Sequence, residues 1–540
     1  VNKYVLSLLV CLIFLSSGST PVEAKKAPSQ PVFHDISESY AKEAIVRLAK
    51  RGIINGNGAG AFLPRESITR AEFTAMLGRF LKMEPVQNDL PAYRDVPIQA
   101  WYYGWVHSGT NLGIVRGKGD RLFKPMDPVT RQEAAVMIVR AMKLDASGQD
   151  AAAASRYKDS DKLASWARYE VGAATAVGWM QGSEGLFRPH DPITREETAV
   201  LLDRVLSSGN VLNVLDAKYD PSGSGIQMGW LYNGTAEQYI SYAKSAGLNI
   251  LVPRWYYIES DGTVSDQTDQ ELLEWAKLNG REVWGMIGNR SNAVATHQML
   301  SDRKTRRFVV NTLAGYVVKY DLDGINVDFE NVMPEDREYL TAFIRELSAE
   351  IKRLGAVTSI DVSPDFGSDW TAAFDYEALG KYADYVVLMG YDEHWGGAPI
   401  AGSVSSLPWL TFATDKLLTQ VPASKTVIAL PLYTREWKLH PSAGSEDISL
   451  IEQGRRIRQH SSSLVWNETV QQYEAEYTRL GIQRKIWTED ARSLSMKHSM
   501  IEDRHIAGVA YWYPGSETPD VWQAIWNMKR YKSYSFHHAI

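Results

Sequence analysis

The segment Asp321-Leu322-Asp323-Gly324-Ile325-Asn326-Val327-Asp328-Phe329-Glu330 alternates apolar and polar side chains and ends in two carboxylates of like parity. On a strand, side chains repeat every second residue, so Ile325, Val327 and Phe329 point one way and Asn326, Asp328 and Glu330 the other. Asp328 and Glu330 then lie roughly 6 to 7 Å apart along the strand. An ordinary half-buried strand would face water with Thr, Lys or Ser, because two like charges side by side cost stability and return none to the fold. This strand therefore reads as one that carries carboxyl chemistry. Asp323 has the opposite parity to Glu330 and reads as a structural hydrogen-bond acceptor near the strand start.

Such a strand needs neighbours to position it. From Ile226 onward, short apolar runs alternate with helical stretches. The strand candidates are Ile226 to Leu231, Asn249 to Trp255, Glu282 to Ile287, Gly324 to Glu330, Val357 to Val362, Tyr385 to Met389, Thr426 to Leu430 and Val509 to Trp512. Helical stretches such as Thr235 to Ala246 and Arg337 to Leu354 fall between them. Eight such units in about 300 residues predict a (β/α)₈ barrel, with an open doubly wound sheet as the competing arrangement. A barrel keeps its chemistry at the C-terminal strand ends, where Glu330, Tyr391, Asp392 and Trp512 fall.

Residues Ile226 to Tyr531 resemble a family 18 glycoside hydrolase of the chitinase-like group. The motif Asp-x-x-Asp-x-Asp-x-Glu is matched by Asp323, Asn326, Asp328 and Glu330. Leu388-Met389-Gly390-Tyr391-Asp392-Glu393-His394-Trp395, followed by Ser405-Ser406-Leu407-Pro408-Trp409, resembles the spore cortex-lytic and wall-lytic branch. The resemblance implies substrate-assisted hydrolysis of β-linked N-acetylglucosamine polymers with net retention. Glu330 would be the acid, its pKa raised by partial desolvation, and the nucleophile would be the substrate's own acetamide oxygen. Asp328 would align the acetamide N–H, Tyr391 would hydrogen-bond its oxygen, Asp392 would support sugar and acid, and Trp512 would floor the reacting ring. Asn326 departs from the motif's middle Asp, which removes one buried charge and should ease ionisation of Asp328. Tyr433, Arg435, Trp437, Trp255 and Tyr257 are further subsite candidates, with core packing the equal alternative for each. No step asks for a metal or a cofactor.

The rest of the chain reads as an address. A basic Lys3, an apolar run Tyr4 to Leu15 and Val22-Glu23-Ala24 predict a signal peptide over 1–24. The apolar run is too short to span a membrane comfortably, and no later segment has the ~18 apolar residues that a span needs. The only cysteine, Cys11, lies inside that signal, so the mature chain has no disulfide and no thiol metal site. Formal net charge is −6, from 58 Lys and Arg against 64 Asp and Glu, which gives no basic field for nucleic acid. The 17 Trp and 27 Tyr fit a sugar-like partner better, because flat rings stack on pyranose faces.

A repeat of about 60 residues occurs three times before position 208. The copies begin at Val32-Phe33-His34-Asp35, Ala92-Tyr93-Arg94-Asp95 and Arg156-Tyr157-Lys158-Asp159. They close with Ile68-Thr69-Arg70-Ala71-Glu72, Val129-Thr130-Arg131-Gln132-Glu133 and Ile193-Thr194-Arg195-Glu196-Glu197. The Thr-x-x-Glu spacing is that of a capping box, so a helix starts at each Thr. Arg70, Arg131 and Arg195 then sit at the positive end of a helix dipole, which suggests a bound anion, the alternative being an ion pair with a neighbouring acid. These residues resemble the S-layer homology family. The resemblance implies an all-α, pseudo-threefold triplet whose three arginines contact a pyruvylated secondary wall polymer. Of the aromatics that the family places near each repeat start, Tyr40, Trp101 and Trp166 are present.

The expected layout is repeats at 32–90, 91–150 and 155–208, a linker at 209–225 and the barrel at 226–531. Together these imply a secreted hydrolase held on the bacterial wall or S-layer, acting on peptidoglycan or a chitin-like glycan. The other class to weigh is a wall-anchored, chitinase-like glycan-binding protein that has lost turnover. Such lectins commonly lack the acid, and this chain has Glu330 together with Asp328 and Tyr391.

Overall fold

The computed structural model describes residues 33–146, 148–219, 225–232, 234–439, 444–460 and 462–536, so the expected signal peptide lies outside the described residues. Eight barrel strands are numbered β1 (Ile226–Leu231), β2 (Ile250–Pro253), β3 (Glu282–Gly288), β4 (Gly324–Asp328), β5 (Val357–Val362), β6 (Tyr385–Met389), β7 (Thr426–Pro431) and β8 (Gly508–Trp512). Each pairs in parallel with the next, and β8 pairs with β1. That closure removes the open-sheet alternative.

Closure buries both faces of the strands, which is why segments such as β2, β6 and β7 read as near-continuous apolar runs. Met228, Trp230, Val252, Trp284, Met286, Val387, Ala429 and Ala510 fill the interior. Ile325, Val327, Ile360, Leu388 and Ile428 face outward, into the layer shared with the helices. The period-two pattern of β4 therefore turns Asn326 and Asp328 inward. The helix Ala236–Ala246 begins on a Thr235/Gln238 capping box and ends at Gly247, whose φ of 65° suits a residue without a Cβ.

An element absent from the sequence reading interrupts the barrel between β7 and β8. Strands Gly444–Ser449, Tyr433–Lys438, Ile482–Trp487, Gln472–Arg479 and Ser463–Asn467, in that spatial order, form an antiparallel sheet with the helix Leu450–Gln459 beside it. The wholly buried Glu436 is its polar centre, paired with Arg456, Arg479 and Arg484. The strand Tyr433–Lys438 leaves β7 directly, carrying Tyr433 and Arg435 over the barrel mouth.

In the repeats, the helices Arg70–Phe80, Arg131–Ala141 and Arg195–Leu206 all start on complete capping boxes at Thr69, Thr130 and Thr194. Their backbones close a ring: Ile68 N–H donates to Ile193 O, Val129 N–H to Ile68 O, and Ile193 N–H to Val129 O. The arginines repeat the cycle. Arg70 donates to Phe123 O, Arg116 O and Glu133; Arg131 to Phe187 O, Gln181 O and Glu197; Arg195 to Phe62 O, Asn55 O and Glu72. All three are buried, at 4%, 5% and 6% exposure, so each guanidinium is engaged in the ion pair weighed as the alternative to an anion. The cation is tolerated at the helix start because two carbonyls and a carboxylate of the adjoining repeat surround it.

Arg131→Ala will therefore destabilise the ring by on the order of 3 kcal/mol, since it strands buried carbonyls and takes from Glu197 its buried partner, leaving it Arg188 at 3.8 Å. Denaturant melts of the whole chain measure this, and a variant within about 0.5 kcal/mol of wild type would show that the pair does not hold the repeats together.

A helix, Val211–Asp216, occupies the middle of the stretch expected to be linker. Val211 and Leu215 are buried against the repeats, and Asp216 accepts from Arg51 at 2.5 Å and Lys82 at 2.8 Å. Residues 220–224 of that stretch lie outside the described residues. The repeats also pack on the barrel side. Glu84 and Asn527 exchange hydrogen bonds of 2.9 and 2.8 Å, Tyr534 donates to Leu81 O at 2.8 Å, and Arg458 pairs with Asp89 at 2.5 Å. Leu464 and Tyr473 of the inserted sheet, with Tyr534 and Phe536, belong to the same buried apolar cluster as the repeat helices.

Candidate active site

The floor of the barrel mouth is a fixed amide. Asn326, wholly buried on β4, accepts from Trp230 Nε1 at 3.2 Å and donates through Nδ2 to Ser359 Oγ at 2.9 Å and Asp361 Oδ1 at 2.8 Å. Asp361, on β5, is 2% exposed. Burial first, and then the charge of Asp328, raise its pKa well above the usual 3.8. Asp328, one step up β4, is half-buried, and its Oδ1 is buried without a hydrogen-bond partner. Burial, followed by the neighbouring Glu330 charge, pushes Asp328 from 3.8 to about 7, with Arg254 pulling in the other direction.

Glu330 lies just past the end of β4, at the solvent side of the mouth. It is exposed, so the partial desolvation expected from sequence is not supplied by the protein alone. Asn289, buried at the end of β3, grips its backbone from both sides, accepting from Glu330 N–H at 3.1 Å and donating to Glu330 O at 2.7 Å. Ser291 Oγ donates to the carboxylate at 2.7 Å. Asp323 accepts from Val283 N–H at 2.8 Å, a structural bond at the strand start.

Opposite stand the residues after β6 and β7. Tyr391 is half-buried, and burial, then Tyr433 and Asp328, hold its hydroxyl well above its ordinary pKa. Asp392 adopts φ 63°, an unusual left-handed conformation for a non-glycine residue, and accepts from Tyr433 at 2.7 Å and Arg435 at 2.9 Å. Arg435 also pairs with Asp447. Trp512, at the end of β8, is half-buried with ring centroids 5.9 Å from Trp230 and 5.2 Å from Tyr232. The Arg254 guanidinium lies 5.6 Å from the Trp512 ring centroid.

Two subsite candidates are corrected. Trp255 is 4% exposed and packs in the layer between strands and helices, because β2 stops at Pro253 and Arg254 is the side chain turned to the mouth. Trp437, 1% exposed, donates to Gly402 O at 2.9 Å in the core of the insertion. Arg254, Asn289, Ser291 and Asp361 are the site residues that sequence reasoning did not single out. Asp328 Oδ1, Arg254 Nε and Arg435 Nε are all buried without a partner, an expensive arrangement for a structure with no polar ligand to receive.

The model of glycosyl hydrolases family 18 matches residues 225–516, which contain every strand of this barrel. The chain belongs to this family. Ahead of the family 18 domain, the S-layer homology domain model matches at 32–74, 92–135 and 156–199. Among curated relatives, an uncharacterized glycosylase YvbX of Bacillus subtilis is 26% identical over 322 residues, covering 57% of this chain and 92% of that protein. A cortical fragment-lytic enzyme of the same organism is 30% identical over 232 residues, covering 42% of this chain and 54% of that protein. The solved chitinase of Chromobacterium violaceum shares the fold, with a TM-score of 0.53, 23% identity and coverage of 57% of this chain and 99% of that one.

Asp361 places a second buried carboxyl in the interior that Asn326 and Asp328 face, while the raised pKa of Asp328 comes from burial and from Glu330. Among the described residues, no helix is long and apolar enough to cross a membrane.

Proposed function

We propose that this glycoside hydrolase cleaves β-1,4-linked N-acetylglucosamine glycans, peptidoglycan first and chitin-like polymers second, with retention through substrate assistance. The observation that carries this reading is the buried, unpartnered Oδ1 of Asp328 beside an exposed Glu330 and a half-buried Tyr391 at the barrel mouth. An acetamide N–H is the donor that Oδ1 lacks. Once it is held there, the acetamide oxygen attacks the anomeric carbon while Glu330 protonates the leaving oxygen. Asp328 offsets the positive charge of the oxazolinium, Tyr391 donates to the acetamide oxygen before attack, and Trp512 supports the ring. Asp392, with Tyr433 and Arg435, forms a polar wall for the neighbouring sugar. Substrate covering Glu330 supplies the desolvation that the apo site lacks.

The repeats are read as an all-α, pseudo-threefold anchor with limits 32–90, 91–150 and 155–208, ahead of a barrel at 226–531, secreted and held on the wall. The cyclic hydrogen bonds support the threefold reading. Tyr40, Trp101 and Trp166 occur once per repeat and are exposed at 66%, 58% and 52%. Trp166 lines a groove of 490 Å³ with Arg70, Arg116, Lys118 and Glu133, a suitable place for an acidic wall polymer, and Arg131 and Arg195 hold the matching positions in the other two repeats.

Release of reducing ends from purified peptidoglycan and from chitin, with mass analysis of the products, tests the catalytic reading. No release from either polymer by wild type would reject it. Trp166→Ala combined with Lys118→Ala should reduce co-sedimentation of the full chain with pyruvylated walls at unchanged hydrolysis of soluble glycan. Undiminished pelleting would remove this groove from the anchor.

A further inference from the structure

Position 326 holds an amide where the family motif has a carboxylate, yet the barrel interior still contains a second acid. In the β4–β5 register Asn326 stands opposite Ser359, and Asp361 is two residues further along β5, hence on the same inward face. The amide is fixed in one sense. Its oxygen takes the Trp230 N–H from β1, so its nitrogen must find acceptors on β5, where Ser359 and Asp361 stand. The groups facing Asp361 are Asp328 and Glu330 from β4, Tyr391 from beyond β6, and the neutral Asn326 and Trp230. The nearby cation, Arg254, acts on Asp328. Two carboxylates in one interior with a single cation to offset them do not both ionise cheaply.

We infer that Asp361 replaces the carboxyl missing from position 326, sharing one negative charge with Asp328 across the Asn326 amide and so acting as a positioning residue for the acetamide-binding acid. The catalytic carboxyl pair has been moved one strand over. Its kinetic readout rests on the glycosidase reading above, while its thermodynamic readout does not. If Asp361 served only as an acceptor for Asn326, an asparagine oxygen would serve equally and the ionisation of Asp328 would not change.

The test is a relocation. Wild type, Asp361→Asn, Asn326→Asp and the double variant are assayed on a soluble chromogenic glycoside of di-N-acetylchitobiose from about pH 4 to about pH 9. Asp361→Asn should move the acid limb of kcat/KM to higher pH by about one unit, because the single charge is then confined to Asp328 instead of being shared with a partner that keeps its proton. Asn326→Asp should move it downward, and the double variant should return it to the wild-type position. An acid limb unmoved in Asp361→Asn, or a double variant that stays with the single one, overturns the inference.

Should wild type hydrolyse nothing, the function fails, and charge sharing is decided by melting temperature against pH. The folded pKa of Asp361 is raised, so its native form keeps a proton that the unfolded chain releases. Stability is therefore full below about pH 4 and is lost as pH rises. Asp361→Asn should flatten the decline from about pH 5 to about pH 8 more in wild type than in an Asp328→Asn background, and equal flattening in both would sink the proposal.

Discussion

Glu330→Gln will lower kcat on N-acetylglucosamine oligomers by roughly 10²- to 10⁴-fold, with KM and melting temperature nearly unchanged. The expectation follows from how little else this side chain does. Glu330 is exposed, among the described residues its side chain accepts one bond, from Ser291 at 2.7 Å, and its backbone is held by Asn289 independently of the side chain. Glutamine keeps the shape and can still accept from Ser291. Only the transferable proton disappears. The loss should therefore depend on the leaving group: severe for a sugar alcohol, which must be protonated to depart, and much milder for an aryl oxide. A leaving-group series on both proteins measures this. Equal losses across the series would mean that Glu330 is not the acid, and full activity in the variant would remove it from the chemistry.

The parts of this molecule written in local pattern were legible, and the parts set by distant neighbours were not. The segments Val357–Val362 and Tyr385–Met389 form strands with the predicted bounds, and Tyr385–Met389 is the unbroken apolar run that a strand buried on both faces leaves between turn residues. The inward parity of Asn326 and Asp328 was equally local. The inserted sheet escaped because strands such as Gln472–Arg479 carry charge on their open face and never form an apolar run. Asp361 offered one signal, an ionisable side chain within a strand whose position in the barrel implies burial on both faces. Reading that signal required knowing that Asn326 had turned its amide toward β5, a contact separated by 35 positions in the chain.

The three arginines teach a related point. Their place at the first turn of a helix was a correct observation that suggested a free anion site, whereas the partners, Glu133, Glu197 and Glu72, come from the adjoining repeat. A cyclic arrangement of repeats lets each copy satisfy the next one's charge. The same acids also close their own capping boxes, so each glutamate bridges a helix start and a neighbour's guanidinium. Anchor and barrel in turn share a buried cluster through Tyr534 and Phe536, which ties the catalytic mouth to the repeats by packing as well as by chain.

Asp328→Asn should move activity and stability in opposite directions. The aspartate is held where its charge is expensive, with Oδ1 buried and unpartnered and its pKa raised from 3.8 to about 7. A carboxyl with a raised folded pKa contributes full stability below its unfolded value, and that stability drains away as pH climbs through the folded value. At about pH 8 the native protein therefore carries a penalty, at most about 4 kcal/mol, that the neutral amide does not incur. At about pH 4 the two proteins should melt alike, because both are then neutral at this position. The same substitution removes the negative charge that offsets an oxazolinium, and a preorganised charge of this kind is worth roughly 10²- to 10³-fold in kcat. The expected signature is a slow enzyme that melts higher than wild type at the alkaline end and not at the acid end. A variant that melts lower than wild type at about pH 8 would show that Asp328 stabilises the barrel, and the reading of its empty oxygen as a place kept for substrate would fall with it.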